Sequence, residues 1–154
     1  MKINIICVGK LKESYFTEAF LEYQKRMTPF GELRCIEVAE CGRVNTPSEG
    51  KTAEGLLILE RLEKNKGYTV ALDRTGESPD SLAFADMIEA AKIRSGTVNF
   101  IIGGSHGLCR EVLERADKSI SFGNLTYPHQ LFRVMLAEQI YRAFMISAGR
   151  EYHK

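Results

Sequence analysis

The sequence predicts an α/β protein in which a mainly parallel sheet is flanked by helices, and two observations support this fold class. Short apolar runs rich in β-branched residues alternate with amphipathic stretches, at the spacing of successive strand and helix units. The run at residues 68–72 is apolar without alternation, which is typical of a strand covered by helices on both faces. A chain of 154 residues fits one domain, so we expect a single domain over residues 1–154.

The strands are predicted from short apolar runs that end in turn residues. They lie at residues 3–8, 33–38, 68–72, 98–102 and 119–122. Polar connections are expected at residues 41–47 and 73–77. Ligands of parallel sheets bind at the carboxyl ends of the strands, so a ligand is expected at the loops after Leu72, Ile102 and Phe122.

The intervening helices are predicted from apolar periodicity and from capping residues. Ser48 is expected to cap the second helix, and Ser78 the third, with Pro79 in its first turn and Ile93 near its end. The inner faces of the first and second helices are expected to comprise Tyr15, Phe16, Ala19, Phe20 and Tyr23, and then Leu56, Leu57, Leu59 and Leu62. A fourth helix should run from Leu108 through Val112, Leu113 and Ala116.

Three glycines, Gly103, Gly104 and Gly107, follow the fourth predicted strand within five positions. Glycine is favoured where the backbone takes a positive φ or approaches a ligand without a Cβ in the way. The cluster therefore suggests a floor for a cofactor, with an ordinary strand-to-helix turn as the alternative.

The last predicted helix is almost wholly apolar from Leu131 to Ile146. Its polar residues Glu138, Gln139 and Arg142 cluster on one face, with Arg133 on another. Thr126 is the expected N-cap, with Pro128 in the first turn. The apolar surface exceeds what one sheet covers, so we expect a homodimer built on this helix, the alternative being a helix buried entirely within one subunit.

Composition restricts the function classes. The longest apolar runs are too short to span a bilayer and the N-terminus reads as a buried strand rather than a signal peptide, so we expect a cytoplasmic protein without a membrane segment. The four cysteines form no C-x-x-C pair and are expected to be reduced structural thiols. No ligand spacing for zinc is present, so no metal is expected.

The sequence Gly103-Gly104-Ser105-His106-Gly107 fits G-x-S-x-G, the turn that exposes the nucleophile of serine hydrolases. Asp117 and His153 could then complete a triad, although the chain is short for that fold. The phosphate-loop and G-x-G-x-x-G motifs are both missing from the sequence. What remains is a cofactor held through backbone groups by three loops, which suits an adenosine-bearing group.

The chain resembles the bacterial large-subunit ribosomal RNA pseudouridine N3-methyltransferase family over its whole length. The resemblance rests on a set of short motifs: Leu72-Asp73 with Gly76, residues 100–104 with Gly107, residues 125–129, Arg133, Leu136, Glu138-Gln139, Tyr141-Arg142-Ala143 and the terminal Tyr152-His153. Such a relationship implies the SPOUT class of S-adenosylmethionine-dependent methyltransferases, with a C-terminal deep trefoil knot. Knots are nearly absent among folds, so no pattern rule would predict one.

The resemblance also implies site residues. Cofactor-binding positions would be Leu72, Gly103, Gly104, Phe122, Gly123, Asn124, Leu125, Thr126 and Tyr127. The implied reaction methylates N3 of a pseudouridine, whose proton His153 or His129 could accept while Arg142 stabilises the developing anion. We expect His153 and Arg142 to be catalytic, Tyr152 to stack on the base, and His129, Arg133 and Arg150 to bind substrate. His129 could equally be a helix-start residue, the terminal segment could be a solvated tail, and Ser105 and His106 should not be essential.

A formal net charge of +1 is low for a protein that binds free nucleic acid by electrostatics alone. The resemblance therefore implies a base displayed on an assembled ribosome. Copies of Lys10, Lys12, Arg133, Arg142 and Arg150 around a dimer cleft are the expected phosphate contacts. A nucleotide-binding module without catalysis remains an alternative from sequence.

Overall fold

The computed structural model describes residues 1–41 and 46–153, which form five strands and five helices. The strands are β1 (Lys2–Val8), β2 (Glu32–Val38), β3 (Tyr68–Glu77), β4 (Thr97–Ile102) and β5 (Lys118–Ile120). The helices are α1 (Ser14–Met27), α2 (Pro47–Lys64), α3 (Ser81–Arg94), α4 (Arg110–Arg115) and α5 (His129–Ser147). The connection predicted at residues 41–47 falls mainly on residues 42–45, which lie outside the described residues.

The strands form one sheet in the order β2-β1-β4-β3-β5, and every neighbouring pair is parallel. The predicted α/β class with a mainly parallel sheet is confirmed. Because all the strands run in one direction, their carboxyl ends lie at the same edge of the sheet.

Two hydrophobic layers cover the two faces of the sheet. Successive side chains along each strand point to opposite faces and so belong to different layers. On β1, Ile5 and Cys7 face the layer that contains α1, α3 and α5, whereas Ile6 and Val8 face α2 and α4. All four side chains are at most 4% exposed. The continuous apolar pattern of the strands therefore reflects burial on both faces, as predicted from residues 68–72.

Helix α5 packs between α1 and α3 and supplies much of the larger layer. Leu136, Ala137, Ile140 and Ala143 are at most 1% exposed. Phe144 and Met145 are also buried. The remaining apolar residues of the helix are only half-buried in the single subunit: Leu131, Phe132, Val134, Met135, Tyr141 and Ile146. One subunit therefore does not bury the whole helix.

Strand β3 is longer than predicted, because residues 73–77 form its second half and not a loop. A register shift between Leu72 and Glu77 lets both residues pair with Ile120 of β5. A Cβ on Gly76 would lie 2.6 Å from the Ile120 nitrogen, so only glycine permits this approach. Residues 73–77 are polar and were therefore predicted as a loop. They can nevertheless form a strand, because they pair with β5, a short strand at the edge of the sheet, where side chains remain in solvent.

The predicted helix caps Ser48 and Ser78 are wrong, by two residues each. Thr46 caps α2, and its hydroxyl oxygen accepts a hydrogen bond from the Glu49 amide at 3.2 Å. Asp80 caps α3 in the same way. In α2, Pro47 takes the first helical position, which suits proline, so the residue before it, Thr46, is the cap. In α3, the carboxylate of Asp80 caps the helix, and Pro79 lies before the helix begins.

Two predicted inner-face residues point outward. Tyr15 is 60% exposed and Leu56 is 65% exposed. Tyr15 lies about 140° around α1 from the buried Phe20, and Leu56 lies about 160° around α2 from the buried Ile58, so both side chains point away from the packed face. None of the helices in the described residues is both long and apolar enough to cross a membrane.

Helix α2 approaches the N-terminus of α4 so closely that one contact leaves no room for a side chain. A Cβ on Gly55 would lie 2.2 Å from the Cys109 Sγ and 3.5 Å from the Val112 Cγ2. Gly55 therefore fixes the spacing of α2 against the segment that follows β4.

We expect Gly55→Ala to destabilise the protein by about 1–3 kcal/mol, because overpacking outweighs the gain in helix propensity. Chemical denaturation would measure the loss. Cys109→Ala should reduce the effect in the double variant. Gly96→Ala is the matched control, since a Cβ there meets nothing within 4 Å. Equal stability of the Gly55 and Gly96 variants would contradict the packing argument.

Candidate active site at the carboxyl edge of the sheet

A cavity of about 590 Å³ opens at the carboxyl edge of the sheet, where the three predicted loops meet. Its walls come from residues 72–75 of β3, residues 102–107 after β4, residues 120–127 after β5, and His129 and Phe132 of α5. All nine residues predicted to bind a cofactor lie along this cavity. Its size is within the usual range for small-molecule sites.

The first wall is a tight turn in β3. The Asp73 Oδ1 accepts hydrogen bonds from the Thr75 amide at 2.9 Å and from the Thr75 hydroxyl at 2.5 Å. Leu72 precedes this turn and is half-buried. The wall therefore combines an apolar side chain with a preformed polar turn at its rim.

The second wall is the glycine loop, whose shape is set by protein contacts. The Gly107 amide donates to the Gly104 carbonyl oxygen at 2.9 Å, and Gly107 has φ +77°. A Cβ on Gly103 would lie 2.7 Å from the Gly107 carbonyl carbon. The loop thus needs glycine for its own closure as well as for any ligand above it.

Helix α2 supports the glycine loop from behind. A Cβ on Gly104 would lie 2.5 Å from the Glu54 Oε2, and Glu54 is 8% exposed. Its Oε1 accepts a hydrogen bond from the Cys41 amide at 3.1 Å. Glu54 thus packs against Gly104 while holding Cys41, a role that the sequence pattern did not indicate.

The third wall is the segment between β5 and α5. The Ser121 hydroxyl accepts from the Gly123 amide and donates to the Gly123 carbonyl oxygen, both at 3.1 Å. Gly123 has φ +101°. The rings of Phe122 and Tyr127 each pack on Phe132, with centroids 5.2 and 5.6 Å away. A reversed backbone is thus held against an aromatic wall.

Thr126 does not cap α5, although sequence suggested it. The N-cap position is Pro128, and no side-chain hydrogen bond caps the helix. Thr126 instead lies in the cavity wall. His129, the first residue of the helix, is half-buried there.

Arg133 does not lie on a substrate surface, contrary to prediction. Its side chain is 1% exposed, and its Nη2 donates to the carbonyl oxygens of Val8 at 2.6 Å and Gly9 at 3.1 Å. Its Nη1 lies 3.4 Å from the Glu37 Oε1. The guanidinium is therefore part of the fold, and Glu37, its ion-pair partner among the described residues, is distant for so buried a charge.

A second groove, of about 750 Å³, shares Ser121, Phe122 and Gly123 with the first cavity. It extends along α5 past Met135 to Glu138. The sequence pattern did not indicate this groove, because it forms between α5, α1 and the start of α3, which are distant from one another in the chain.

Glu138 organises the C-terminal half of α5. Its Oε1 accepts hydrogen bonds from the Arg142 Nε at 3.0 Å and the Tyr152 hydroxyl at 3.2 Å. Its Oε2 accepts from the Gln139 Nε2 at 2.6 Å. The hydrogen bond from Arg142 to Glu138 raises the pKa of Arg142. The spacing of Glu138 and Arg142 by four residues is a signal that could have identified the pair.

The terminal segment folds back on α5. The Tyr152 ring lies 5.0 Å from the Tyr141 ring and 4.8 Å from the Arg142 Cζ. Arg150 and His153 are exposed, and the Arg150 Cζ lies 5.4 Å from the Phe30 ring. Tyr152 is therefore packed and not frayed, while Lys154 lies outside the described residues.

The predicted catalytic and cofactor-binding residues are far apart within one chain. Arg142 lies thirteen residues beyond His129 on α5, which corresponds to about 20 Å along the helix axis. Of the described residues that line the two cavities, none comes from the terminal segment.

The hydrolase triad is not assembled. The Asp117 Oδ2 accepts a hydrogen bond from the Thr69 amide at 2.8 Å, at the amino edge of the sheet. Ser105 lies in the turn beyond the carboxyl end of β4, so the length of a six-residue strand, about 20 Å, separates the two. The geometry contradicts this alternative.

All four cysteines are free, and the Cys7 and Cys35 Sγ atoms are 3.4 Å apart. Within residues 1–41 and 46–153, no group of three or more His, Cys, Asp or Glu side chains could hold a metal ion. Two other features are candidates for function: the cavity, and Glu138 with its partners Gln139, Arg142 and Tyr152, here called the Glu138 cluster.

Comparisons of the whole chain with a family model and with individual proteins indicate the same family. A family model described as a predicted SPOUT methyltransferase matches residues 1–153. The chain is 45% identical to ribosomal RNA large subunit methyltransferase H of Clostridium botulinum (strain Kyoto / Type A2), with 100% of both chains covered. It is 46% identical to the protein of the same name from Lactiplantibacillus plantarum, again with 100% of both covered.

Solved structures show that the fold is shared with longer proteins. A probable methylase family protein from Haemophilus influenzae Rd KW20 superposes with a TM-score of 0.58 at 10% identity, covering 96% of this chain and 66% of that one. The TrmH/SpoU tRNA modifying enzyme of A. aeolicus gives a TM-score of 0.50 at 13% identity, covering 96% and 77%.

The contacts of Tyr152 generate a prediction about its titration. Burial, a hydrogen bond with Tyr23 and the nearby Glu138 carboxylate all favour the neutral phenol and raise the pKa of Tyr152. Deprotonation therefore requires a higher pH than for an ordinary tyrosine. In a phenolate absorbance titration of the six tyrosines, Tyr152→Phe should remove a late-titrating group.

Tyr15→Phe is the control, because Tyr15 is 60% exposed and lies outside the Tyr152 contacts, so the late-titrating group should remain in this variant. Glu138→Gln should lower the pKa of Tyr152, because it removes the nearby negative charge, and the late-titrating group should then ionise at a lower pH. If the Tyr152 and Tyr15 variants lost the same part of the curve, the Tyr152 environment described above would be wrong.

Proposed function

This chain belongs to the SPOUT methyltransferase family, and we propose that it transfers a methyl group from S-adenosylmethionine to N3 of a pseudouridine in 23S ribosomal RNA. The observation that carries the proposal is the cavity of about 590 Å³ formed by three loops at the carboxyl edge of the sheet. The full-length relatives named as ribosomal RNA large subunit methyltransferases support the RNA substrate.

The residues present fit the proposed cofactor. Leu72, Ile102 and Phe122 offer apolar walls suited to an adenine ring, and the turns at Gly104 and Gly123 bring backbone groups to the surface of the cavity. Most of its polar lining is main chain or neutral, and Arg74, the one arginine among the described lining residues, is exposed at the rim. A site without a buried cation suits a positively charged sulfonium.

When bound, S-adenosylmethionine supplies an electrophilic methyl group. The chain must provide a dry cavity and an acceptor for the proton that leaves N3. We assign proton acceptance to the His153 imidazole, and stabilisation of the anion on the base carbonyl oxygens to Arg142. Tyr152 stacks on the base and Arg150 contacts phosphate; His129, at the cavity, is the alternative proton acceptor.

The proposed active site requires two copies of the chain. About 20 Å along α5 separates the cavity from Arg142, so the terminal segment of one subunit does not serve its own cavity. If two α5 helices pack antiparallel about a two-fold axis, the C-terminal half of one approaches the cavity of the other. The half-buried apolar residues of α5 supply the surface for a homodimer.

The deep trefoil knot forms part of the same proposal. It is supported by the approach of the Gly76 backbone to β5 and by the meeting of the loops after β4 and β5 around one cavity. Threading the last helix between these loops would hold the cavity closed.

The substrate is proposed to be the assembled ribosome in the cytoplasm. A single domain with a net charge of +1 has little surface with which to hold free RNA. Hydrolase chemistry loses its support because Ser105 and Asp117 lie at opposite edges of the sheet. A module without catalysis has no support from the relatives, which are named as methyltransferases.

The direct test uses ribosomes from cells that lack this gene. The purified protein and S-adenosylmethionine should add one methyl group to a pseudouridine of 23S RNA, identified by mass spectrometry against a synthetic N3-methylpseudouridine standard. Methylation only of uridine or of another RNA would contradict the proposal. Labelling of Ser105 by a fluorophosphonate would indicate a hydrolase instead.

Deleting Tyr152 to Lys154 should leave binding of S-adenosylhomocysteine unchanged and abolish methylation, because the cavity and the terminal segment are separate. Isothermal titration and the methylation assay would measure the two effects. Unchanged activity in the truncated protein would contradict a catalytic role for the segment.

Mixed dimers test the two-copy site. Gly123→Val should abolish cofactor binding, because valine rarely adopts φ +101°. Dimers that pair this subunit with the truncated subunit should regain one working site, whereas each parent dimer should be inactive. Failure of the mixed dimers to methylate would show that the site lies within one subunit.

A further inference from the structure

The connection between β1 and α1, residues Gly9–Glu13, is here called the basic loop. Its two lysines, Lys10 and Lys12, are exposed. Among the described residues no carboxylate lies within ion-pair distance of either ammonium group. The loop follows the carboxyl end of β1, next to β4 and its glycine loop, so it lies at the same edge as the cavity.

Arg133 holds the beginning of the basic loop. Its Nη2 donates to the carbonyl oxygens of Val8 and Gly9, and its side chain is 1% exposed. The Glu37 Oε1 lies 3.4 Å from the Arg133 Nη1 and accepts a hydrogen bond from the Leu11 amide at 2.8 Å. A buried cation and its carboxylate thus fix three backbone groups around Lys10.

Gln130 holds the end of the basic loop. Its Oε1 accepts hydrogen bonds from the amides of Lys12 at 2.7 Å and Glu13 at 3.2 Å. Glu13 is the N-cap residue of α1, and no side-chain hydrogen bond of its own caps that helix. Gln130 therefore reaches from α5 to satisfy amides beside the start of α1.

The same turn of α5 contributes to the cavity. His129 and Phe132 line it, while Gln130 and Arg133 face the basic loop. The beginning of α5 therefore contacts both the cavity and the basic loop. These contacts fix the position of the main chain at Lys10 and Lys12 relative to the cavity.

We propose that the basic loop is an RNA-backbone contact of this enzyme, in which Lys10 and Lys12 bind phosphates while Gln130 and Arg133 act as positioning residues. The proposal rests on the proposed function, since a polyanionic substrate must reach the cavity. Holding the main chain before binding lowers the ordering cost of the contact. Arg133 thereby contributes to RNA binding without touching RNA, which reconciles its burial with a role near the substrate.

Two sets of variants separate contact from positioning, using ribosomes from cells that lack the gene. Lys10→Ala with Lys12→Ala should raise the KM for ribosomes about tenfold and reduce the slope of log KM against log salt by about 1.5, because two phosphate contacts are lost. Gln130→Ala should raise the KM about threefold with the salt slope unchanged, because the lysines remain but are less ordered.

Each set of variants has a matched control. One removes two lysines at the opposite edge of the sheet, and the other removes a comparable glutamine hydrogen bond. Lys64→Ala with Lys66→Ala makes the same charge change on exposed residues before β3. Gln24→Ala removes one glutamine bond to the backbone, from its Nε2 to the Leu33 carbonyl oxygen at 2.7 Å. Both controls should keep the wild-type KM and salt slope. Affinity for S-adenosylhomocysteine and the thermal midpoint report folding in every variant.

Pelleting of each variant with ribosomes in the presence of S-adenosylhomocysteine measures binding without methyl transfer. If the lysine variant keeps the wild-type KM, pelleting and salt slope while the wild type methylates, the inference is wrong and the proposed function stands. If the Gln130 variant reduces the salt slope as much as the lysine variant, its role is contact and not positioning. If the wild type does not methylate ribosomes, the proposed function itself fails.

Discussion

The uniform direction of the strands is the constraint on which the rest of this structure depends. Because every strand pair is parallel, the loops after β1, β3, β4 and β5 open at one edge, and each return to the other edge needs a crossing segment. The cavity, the basic loop and the start of α5 lie together for that reason. Burial of both faces of the sheet by two hydrophobic layers stabilises the arrangement and leaves the carboxyl edge for chemistry.

Helix α5 combines three roles that would be separate elements in a larger protein. Its inner residues complete the core, its first turn contacts both the cavity and the basic loop, and its second half carries the Glu138 cluster. The outer face of this almost wholly apolar helix is half-buried in the single subunit. In the proposed dimer, a second copy would cover that face, and the terminal segment of one subunit would approach the cavity of the other.

Much of the fold followed from local pattern, since apolar runs predicted all five strands and the long last helix. The errors fell where tertiary contacts outweighed local preference. Residues 73–77 look like a loop but pair with β5, because Gly76 admits its backbone. Arg133 looks like a surface cation, yet carbonyl oxygens from β1 and the following turn stabilise it inside the protein. The glycine loop was predicted as a floor for a cofactor, and the structure adds that Glu54 and Gly107 themselves leave no room for side chains at Gly104 and Gly103.

By itself, the sequence determined the parallel α/β class, the three loops that meet in the cavity and the family resemblance, because strand patterns, glycines and short motifs are local properties of the chain. Only the tertiary structure decided which charges are buried, which side chains support the loops from behind, and how far the terminal segment lies from the cavity. Those properties depend on contacts between residues up to 125 positions apart, such as Arg133 and Val8. Local pattern carries no information about such distances, so the separation that favours a two-copy site could be seen only in three dimensions.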